Sequence, residues 1–326
     1  MLQVRRVLFI RTDRLGDTLL NLPAVAALKA AAPQAAITFL ADPALHPLLE
    51  LAPGVDHLLP YQPTSRLWWI RAIQLARLLR PHRFELAVVS NPKKELHVAV
   101  RLAGIPLRVG YDRKWGWLLT HRVADRKALG DRHEVEDNLE LLRCLGLPGV
   151  IPQPPWLHVE SERSDLRPLL ERQGLSAAHP FIAIHPWSSN PAKEWPPERF
   201  RAIIRMISER GDMQAALIGG VEEQGAAAAF LSPGLPAVNL VGHLTLPQLV
   251  ALLRRARCLV SNDSGPVHLA AAVGTKTVVL FGAPTAATGP RRWGPWGEGH
   301  CVIWKPSMDA ITVEEVFAAL HRHLAC

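Results

Sequence analysis

The stretch from Cys258 to Thr285 leaves this chain the least freedom in what it can fold into. Two short apolar runs, Cys258–Ser261 and Thr277–Phe281, bracket a helical segment, Pro266–Val273. Strands connected through a helix pair in parallel, and a parallel sheet whose strands are apolar throughout needs helices on both faces. Between the first strand and the helix stands Asp263-Ser264-Gly265-Pro266. Ser264 suits the N-cap, Pro266 costs little in a first turn, and Gly265 lets the backbone come close to a ligand. Free N–H groups and the positive dipole end make such a helix start an anion site at the carboxyl edge of the sheet. A second small turn, Phe281-Gly282-Ala283-Pro284-Thr285, ends the next strand on the same edge, and two such turns side by side suit a diphosphate. The plainer alternative is that Asp263 and Ser264 only cap a helix and that His268, in its first turn, is a core or surface residue. The small face Ala270, Ala271, Ala272 and Gly274 would let the helix sit close to the sheet.

The same alternation runs through the rest of the chain. In the first half it reads as strand Val7–Ile10, helix Asp17–Ala32, strand Ala36–Leu40, helix Leu67–Leu79, strand Leu86–Ser90 and helix Glu95–Ala103. Pro148, Pro152, Pro154 and Pro155 then interrupt it, a composition that makes a stiff connector and places a boundary near residues 150–178. Beyond it come strand Phe181–His185, helix Pro197–Arg210, strand Gln214–Ile218, helix Glu222–Leu231, strand Val238–Leu240 and helix Leu246–Ala256. Thr312 can cap a last helix, Val313–Leu324. At 326 residues the chain exceeds one ordinary core and a length prior gives about two domains. The α/β expectation is therefore two Rossmann-like, doubly wound parallel-sheet domains, residues 1–165 and 166–310, followed by a terminal helix over 311–326.

Composition narrows the function. No run of about 18 apolar residues exists, so no bilayer-spanning helix is expected. The apolar run near Met1 ends at Arg11 and reads as a buried strand rather than a signal peptide. Cys144, Cys258, Cys301 and Cys326 have neither metal nor disulfide spacing, which points to a reducing compartment. A formal charge of +8, from 37 Lys and Arg against 29 Asp and Glu, suits an acidic partner such as a phosphorylated substrate or an anionic membrane. Nucleic acid is disfavoured, because the basic residues are spread rather than striped and no helix-turn-helix pattern is present.

Two further segments carry candidate chemistry. Between the first strand and helix, Ile10-Arg11-Thr12-Asp13-Arg14-Leu15-Gly16-Asp17 lacks the Gly-x-Gly-x-x-Gly fingerprint of dinucleotide sites. Asp17 falls at the helix start, where the dipole favours the ionised carboxylate, and it can accept a proton from a hydroxyl. It can equally be a plain N-cap, and Asp13 competes for the same role from further away. The loop after Phe181–His185 carries Ser188, Ser189 and Lys193, hydroxyls and a cation able to hold phosphate oxygens. After Leu217-Ile218-Gly219-Gly220, Glu222 or Glu223 can hold a ribose diol or merely match a helix dipole.

Together these pieces resemble the bacterial heptosyltransferases of glycosyltransferase family 9, from Arg6 to about Phe317. The shared features are the Gly16-Asp17 turn, Lys193-x-Trp195-Pro196, Asp263-Ser264-Gly265-x-x-His268 and Phe281-Gly282-x-Pro284-Thr285. The resemblance implies a GT-B fold, two domains facing across a cleft, with the donor held mainly by the C-terminal one. It implies an inverting transfer, most simply of heptose from ADP-heptose to a lipopolysaccharide inner-core acceptor. Asp17 would then be the general base, and Lys193 with the 264–268 helix start would stabilise the departing nucleoside diphosphate. Asp263 and His268 would contact the donor, and Glu223 or its neighbour the ribose. No Asp-x-Asp signature stands out, so neither a metal nor a cofactor is expected beyond the donor itself. Where lipopolysaccharide-core members carry a Gly-Leu-x-Lys-Ser-like stretch, this chain reads Ser90-Asn91-Pro92-Lys93-Lys94-Glu95. Lys93, Lys94, Arg113 and Lys114 are the candidates for an acidic glycolipid acceptor.

The alternatives are a different donor or acceptor, a nucleotide-sugar 2-epimerase on a similar fold, and a sugar-nucleotide sensor without turnover. The expected location is cytoplasmic, with peripheral contact at the cytoplasmic face of the inner membrane. Leu67–Leu79, with Trp68 and Trp69 beside Arg66 and Arg71, is a candidate contact, although Trp in a helix more often fills a core. Oligomeric state is not legible.

Overall fold

The computed structural model describes residues 4–147, 153–159, 166–176, 179–231, 234–282 and 285–324. Contacts divide the chain into two compact units, Met1–Trp156 and Leu157–Cys326. The expected boundary at 165/166 stands a few residues further on; of the connector prolines, Pro148 and Pro152 lie outside the described residues, as do Pro284 and Cys326.

The first unit holds strands β1 (Arg6–Ile10), β2 (Ala36–Ala41), β3 (His57–Pro60), β4 (Leu86–Val89), β5 (Leu107–Tyr111) and β6 (His121–Val123). Its helices are α1 (Leu15–Leu19), α2 (Leu22–Ala31), α3 (His46–Leu49), α4 (Trp68–Leu79), α5 (Lys94–Leu102) and α6 (Glu134–Arg143). All strands are parallel, in the order β3-β2-β1-β4-β5-β6. Central β1 from Val7 onward and β4 are apolar and buried, as a strand covered on both faces must be. The expected helix Asp17–Ala32 is instead two. α1 ends at Leu19, and α2 begins after Asn21 with Pro23 in its first turn. Proline lacks the N–H that a continuous helix would need there.

The second unit repeats the plan. Its strands are β7 (Phe181–His185), β8 (Gln214–Leu217), β9 (Ala237–Asn239), β10 (Cys258–Asn262), β11 (Thr277–Phe281) and β12 (Cys301–Trp304). Its helices are α7 (Arg167–Gln173), α8 (Pro197–Arg210), α9 (Gln224–Leu231), α10 (Leu246–Arg255), α11 (Gly265–Ala272), α12 (Pro290–Trp293) and α13 (Val313–Leu324). The sheet is parallel, in the order β12-β11-β10-β7-β8-β9. Trp195, Phe200, Ile203, Ile204 and Ile207 join the β7, β10 and β11 side chains and the apolar face of α13 in one core. The last helix is thus part of this unit's packing. Thr312 caps it: its hydroxyl accepts the Glu315 N–H at 3.2 Å while Glu315 accepts the Thr312 N–H at 3.1 Å.

Both sheets reverse direction of winding beside their first strand, between β1 and β4 and between β7 and β10. Ligands of open α/β sheets bind outside the carboxyl ends of the strands at this switch point. The candidate residues Asp17 and Lys93 follow β1 and β4, and Lys193 and Ser264 follow β7 and β10. One expectation about α11 needs correcting. Gly274 does not bring the helix close to the sheet: an added Cβ there would meet nothing within 4 Å. Its φ of +80° instead ends the helix in the left-handed conformation.

Candidate functional site

In the first unit, the carboxyl ends of β1 and β4 are tied together by one buried guanidinium. Arg11 Nε donates to Asp13 Oδ1 at 2.5 Å and Nη2 donates to Asp17 Oδ1 at 2.5 Å. Nη1 donates to Ser90 Oγ at 3.1 Å and lies 3.7 Å from Glu134 Oε1. A second cation, Lys127, is hydrogen-bonded to Glu134 and stands 4.4 Å from the Tyr111 ring centre. Burial pulls the Arg11 pKa down, but Asp13, Asp17 and Glu134 outweigh it and leave it above the ordinary value.

The Asp17 carboxylate is not the N-cap; that position is Arg14, and Asp17 lies within the first turn of α1. Nor does the dipole of so short a helix decide its protonation. Burial raises its pKa above the ordinary value, against the pull of Arg11, and Asp13 and Glu134 add to the rise. An ion pair at 2.5 Å would by itself lower it, but Arg11 is shared among three carboxylates and cannot compensate each fully. The result is a partly buried carboxylate more basic than one in water, as proton abstraction from a hydroxyl requires. Asp13 accepts from the same guanidinium, so the two acids act through one cation.

The lysine pair after β4 splits. Lys93 turns inward, donating to Thr12 Oγ1 at 3.0 Å and to the Thr12 carbonyl at 3.3 Å, with burial lowering its pKa. Lys94 turns outward, its ammonium 5.8 Å from the Trp115 ring centre. Arg113 is paired with Asp125 at 3.1 Å, so its charge is already met. Lys114 stands exposed in a left-handed backbone conformation, φ 47°. The four expected acceptor residues therefore do not converge. Arg11, Glu134 and Lys127, which sequence reasoning missed, are instead the charges that act on Asp17, together with Asp13. Arg11 carried a signal, since a charged residue directly after an apolar strand must find a partner at the sheet edge.

In the second unit, Lys193 Nζ donates to Asp263 Oδ2 at 2.5 Å, joining the loop after β7 to the end of β10. Burial raises the Asp263 pKa, with Lys193 opposing. Asn262 fixes the same loop: its Oδ1 accepts the Trp195 N–H at 3.1 Å and its Nδ2 donates to the Pro186 carbonyl at 2.6 Å. Trp195 is fully buried and its Nε1 donates to the Ile311 carbonyl at 3.0 Å. Ser188 is part of the loop's own turn, its N–H donating to Glu194 at 2.9 Å and its Oγ accepting the Asn190 N–H at 3.3 Å. Ser189 is exposed on that loop.

Ser264 occupies the N-cap of α11 but its side chain makes no cap bond, contrary to expectation. Its Oγ lies 3.0 Å from Ser261 Oγ and 3.1 Å from His185 Nδ1. The hydroxyl is thus drawn to Ser261 and His185 and leaves the side-chain cap position at the start of α11 empty, although the Val267 N–H already donates to the Ser264 carbonyl at 3.2 Å and Pro266 has no N–H. His185 is held neutral, burial pushing its pKa down to about 4. His268 is buried within α11. Gly282 is required for close approach, since a Cβ there would come within 2.5 Å of the Met308 nitrogen.

At the end of β8, Glu223 closes its own turn by accepting the Gly220 N–H at 2.5 Å. Burial raises its pKa. Glu222 is exposed and folds over Gly220, where an added Cβ would meet its carboxylate within 2.7–2.8 Å. Glu222 is therefore the carboxylate not committed to the turn. A cavity of about 440 Å³, lined by Arg254, Arg257, Lys276 and His323 among others, lies at the amino edge of this sheet and includes none of these residues. Among the described residues, no group of three or more His, Cys, Asp or Glu is arranged to hold a metal ion, and no helix is long and apolar enough to cross a membrane.

Known proteins are similar to this chain over most of its length. The family model for glycosyltransferase family 9 (heptosyltransferase) matches residues 72–319. Lipopolysaccharide heptosyltransferase 3 of Escherichia coli is 26% identical over 301 residues, covering 89% of this chain and 86% of that protein. Lipopolysaccharide heptosyltransferase 2 of E. coli K12 is 28% identical over 290 residues, 85% of this chain and 82% of that one. The solved structure of the E. coli ADP-heptose lipopolysaccharide heptosyltransferase II superposes with a TM-score of 0.81 at 25% identity, covering 98% of each chain.

Proposed function

This chain belongs to glycosyltransferase family 9 and is a glycosyltransferase of GT-B fold, and from that premise we propose that it transfers heptose from ADP-heptose to a lipopolysaccharide inner-core acceptor with inversion. The observation that carries the reading is the Lys193–Asp263 pair beside the uncapped start of α11, at the switch point of the second sheet. An incoming diphosphate competes with Asp263 for Lys193 and lies beside Gly265 at the positive dipole end of α11. Charge that develops on the leaving group is met by a cation and dipoles already in place, so little reorganisation is needed during the reaction.

In the single displacement, the acceptor oxygen attacks the anomeric carbon as the bond to the diphosphate oxygen breaks, and the acceptor proton passes to Asp17. Arg11 keeps the carboxylate in place, and its sharing among three acids keeps Asp17 basic. Lys93, beside Asp13 and Thr12, holds an acidic group of the acceptor. Asp263 and His268 contact the donor, and Glu222 takes the ribose diol. The named donor of the heptosyltransferase II structure and the named substrates of both relatives support this choice of donor and acceptor.

The test is ADP release from ADP-heptose with and without a deacylated inner-core oligosaccharide. Release that requires the oligosaccharide is expected. Conversion of the donor alone would make the protein a 2-epimerase, and release only from a different nucleotide sugar would replace the donor.

A further inference from the structure

We propose that the cavity at the amino edge of the second sheet binds a small phosphorylated anion, at a site separate from the donor cradle. The strands themselves build it. Pro180, Met213, Arg257 and Lys276 line it, and each is the residue immediately before a strand: β7, β8, β10 and β11 respectively. These four strands are neighbours, in the order β11-β10-β7-β8, so the four residues stand in one row. A volume of about 440 Å³ is that of a pocket for a small organic molecule, and Met213, Val273 and Leu324 supply apolar lining.

The polar lining is mostly cationic. Arg254, Arg257, Lys276 and His323 stand against one carboxylate, Asp212. Asp212 is already held by Arg210, whose Nη2 and Nε donate to its two oxygens at 3.0 and 3.2 Å. Among the described residues, the side chains of Arg254, Arg257 and Lys276 make neither an ion pair nor a hydrogen bond. Leu259 pairs with Thr277, so Arg257 and Lys276 lead into adjacent strands within one residue of register. Like charges so placed cost stability unless an anion meets them. Burial, then Lys276 and Arg322, lower the His323 pKa, and its Nε2 is buried with no hydrogen-bond partner among the described residues. A buried polar atom left unmet is the kind that a bound group answers.

Basic residues also answer the negative carboxyl ends of helices, and Arg254 and His323 lie in the last turns of α10 and α13. Arg257 and Lys276 do not, since they precede strands. Carbonyls at the ends of α10 and α11 are met without them: Leu253 accepts the Thr275 hydroxyl at 2.7 Å, and Ala270 accepts the Thr275 N–H at 2.9 Å. The cations are therefore uncommitted, and guanidinium groups beside an ammonium suit phosphate oxygens. Asp263 follows Arg257 at the far end of β10, about 20 Å along an extended strand, so one diphosphate cannot reach both sites.

The test is calorimetric titration of inorganic pyrophosphate into the full-length protein already saturated with ADP. One further binding event is expected, with ADP retained. Arg257→Glu and Lys276→Gln should each weaken it about tenfold. Arg77→Glu, an equal change of charge to Arg257→Glu on the exposed side of α4 in the first unit, should leave it within about twofold. Acceptor-dependent ADP release, measured without pyrophosphate, should be unchanged in Lys276→Gln. Dependence on Arg257 does not rest on the identity of the donor, so this test can succeed where the proposed reaction fails. Pyrophosphate that binds only by displacing ADP would overturn the proposal, as would an equal loss in Arg77→Glu. So would lost turnover in folded Lys276→Gln, which would make the cavity part of the reaction.

Discussion

The ammonium of Lys193 and the carboxylate of Asp263 lie 2.5 Å apart, joining the loop after β7 to the strand end from which α11 starts. Lys193 keeps about a third of its side chain exposed, while Asp263 is buried. The cation is therefore held ready at the helix start and remains reachable by a ligand. Lys193→Ala should lower kcat on the order of a hundredfold and weaken ADP binding, whereas Lys193→Arg should retain part of both. Steady-state kinetics with ADP-heptose and calorimetry with ADP measure the two effects.

Buried His185 makes stability depend on pH. Its ordinary pKa near 6.5 is lowered to about 4 by burial, so the unfolded chain binds a proton more readily than the folded one. Stability from this group is complete above pH 6.5 and falls as pH drops toward 4, by about 3 kcal/mol in all. Denaturant midpoints measured from pH 7 to pH 4 should fall, and His185→Gln should remove only part of that slope, because burial pushes His300 down to about 4 as well.

Glu134 adds to the basicity that burial gives Asp17. Its negative charge is one of the contributions that raise the Asp17 pKa. Glu134→Gln should therefore shift the acid limb of the kcat/KM profile to lower pH. It also leaves Lys127 without its carboxylate, at a cost of about 3 kcal/mol in stability. A pH–rate profile that does not move, on a variant shown to be folded, would leave Glu134 only a structural part.

Asn262 clamps the loop that carries Lys193. Asn262→Ala removes the acceptor for the Trp195 N–H and the donor for the Pro186 carbonyl. Both partners are buried, so stability should fall by about 2–4 kcal/mol. The KM for the donor should rise even at temperatures where the variant is folded.

The second unit was more legible than the first. Its strands are short apolar runs separated by helices with clear ends, starts at Pro197 and Pro266 and a stop at Gly211, so β7, β10, β11, α8 and α11 fall where periodicity places them. In the first unit β3, β5 and β6 escaped. Each carries charged, polar or proline residues, as in His57–Pro60 and His121–Val123, because these strands lie toward the sheet edge, where one face is less buried. β12, the edge strand of the other sheet, escaped although Cys301–Trp304 is wholly apolar, because it is only four residues long. Helix α6 has an acidic first turn that conceals its buried face.

The site was legible as motifs and not as partnerships. Asp17, Lys193, Asp263 and Ser264 stand out because they follow strands beside small turns. That Lys193 rests on Asp263, that Ser264 bonds His185 rather than its own helix, and that Arg11 joins Asp13 to Asp17 are long-range or through-space facts. No local pattern encodes them. The lysine pair shows the limit well: adjacent in sequence, Lys93 and Lys94 go to opposite environments, because Lys93 is the N-cap residue of α5 and Lys94 begins its helical turn.

Proton transfer to Asp17 is the step on which the whole account rests. The most direct measurement compares Asp17→Ala with the unaltered protein in acceptor-dependent ADP release from ADP-heptose, with ADP affinity determined on the same samples. Turnover should fall about a thousandfold while ADP binds within about twofold of the original strength. Turnover that survives the loss of this carboxylate would contradict the account.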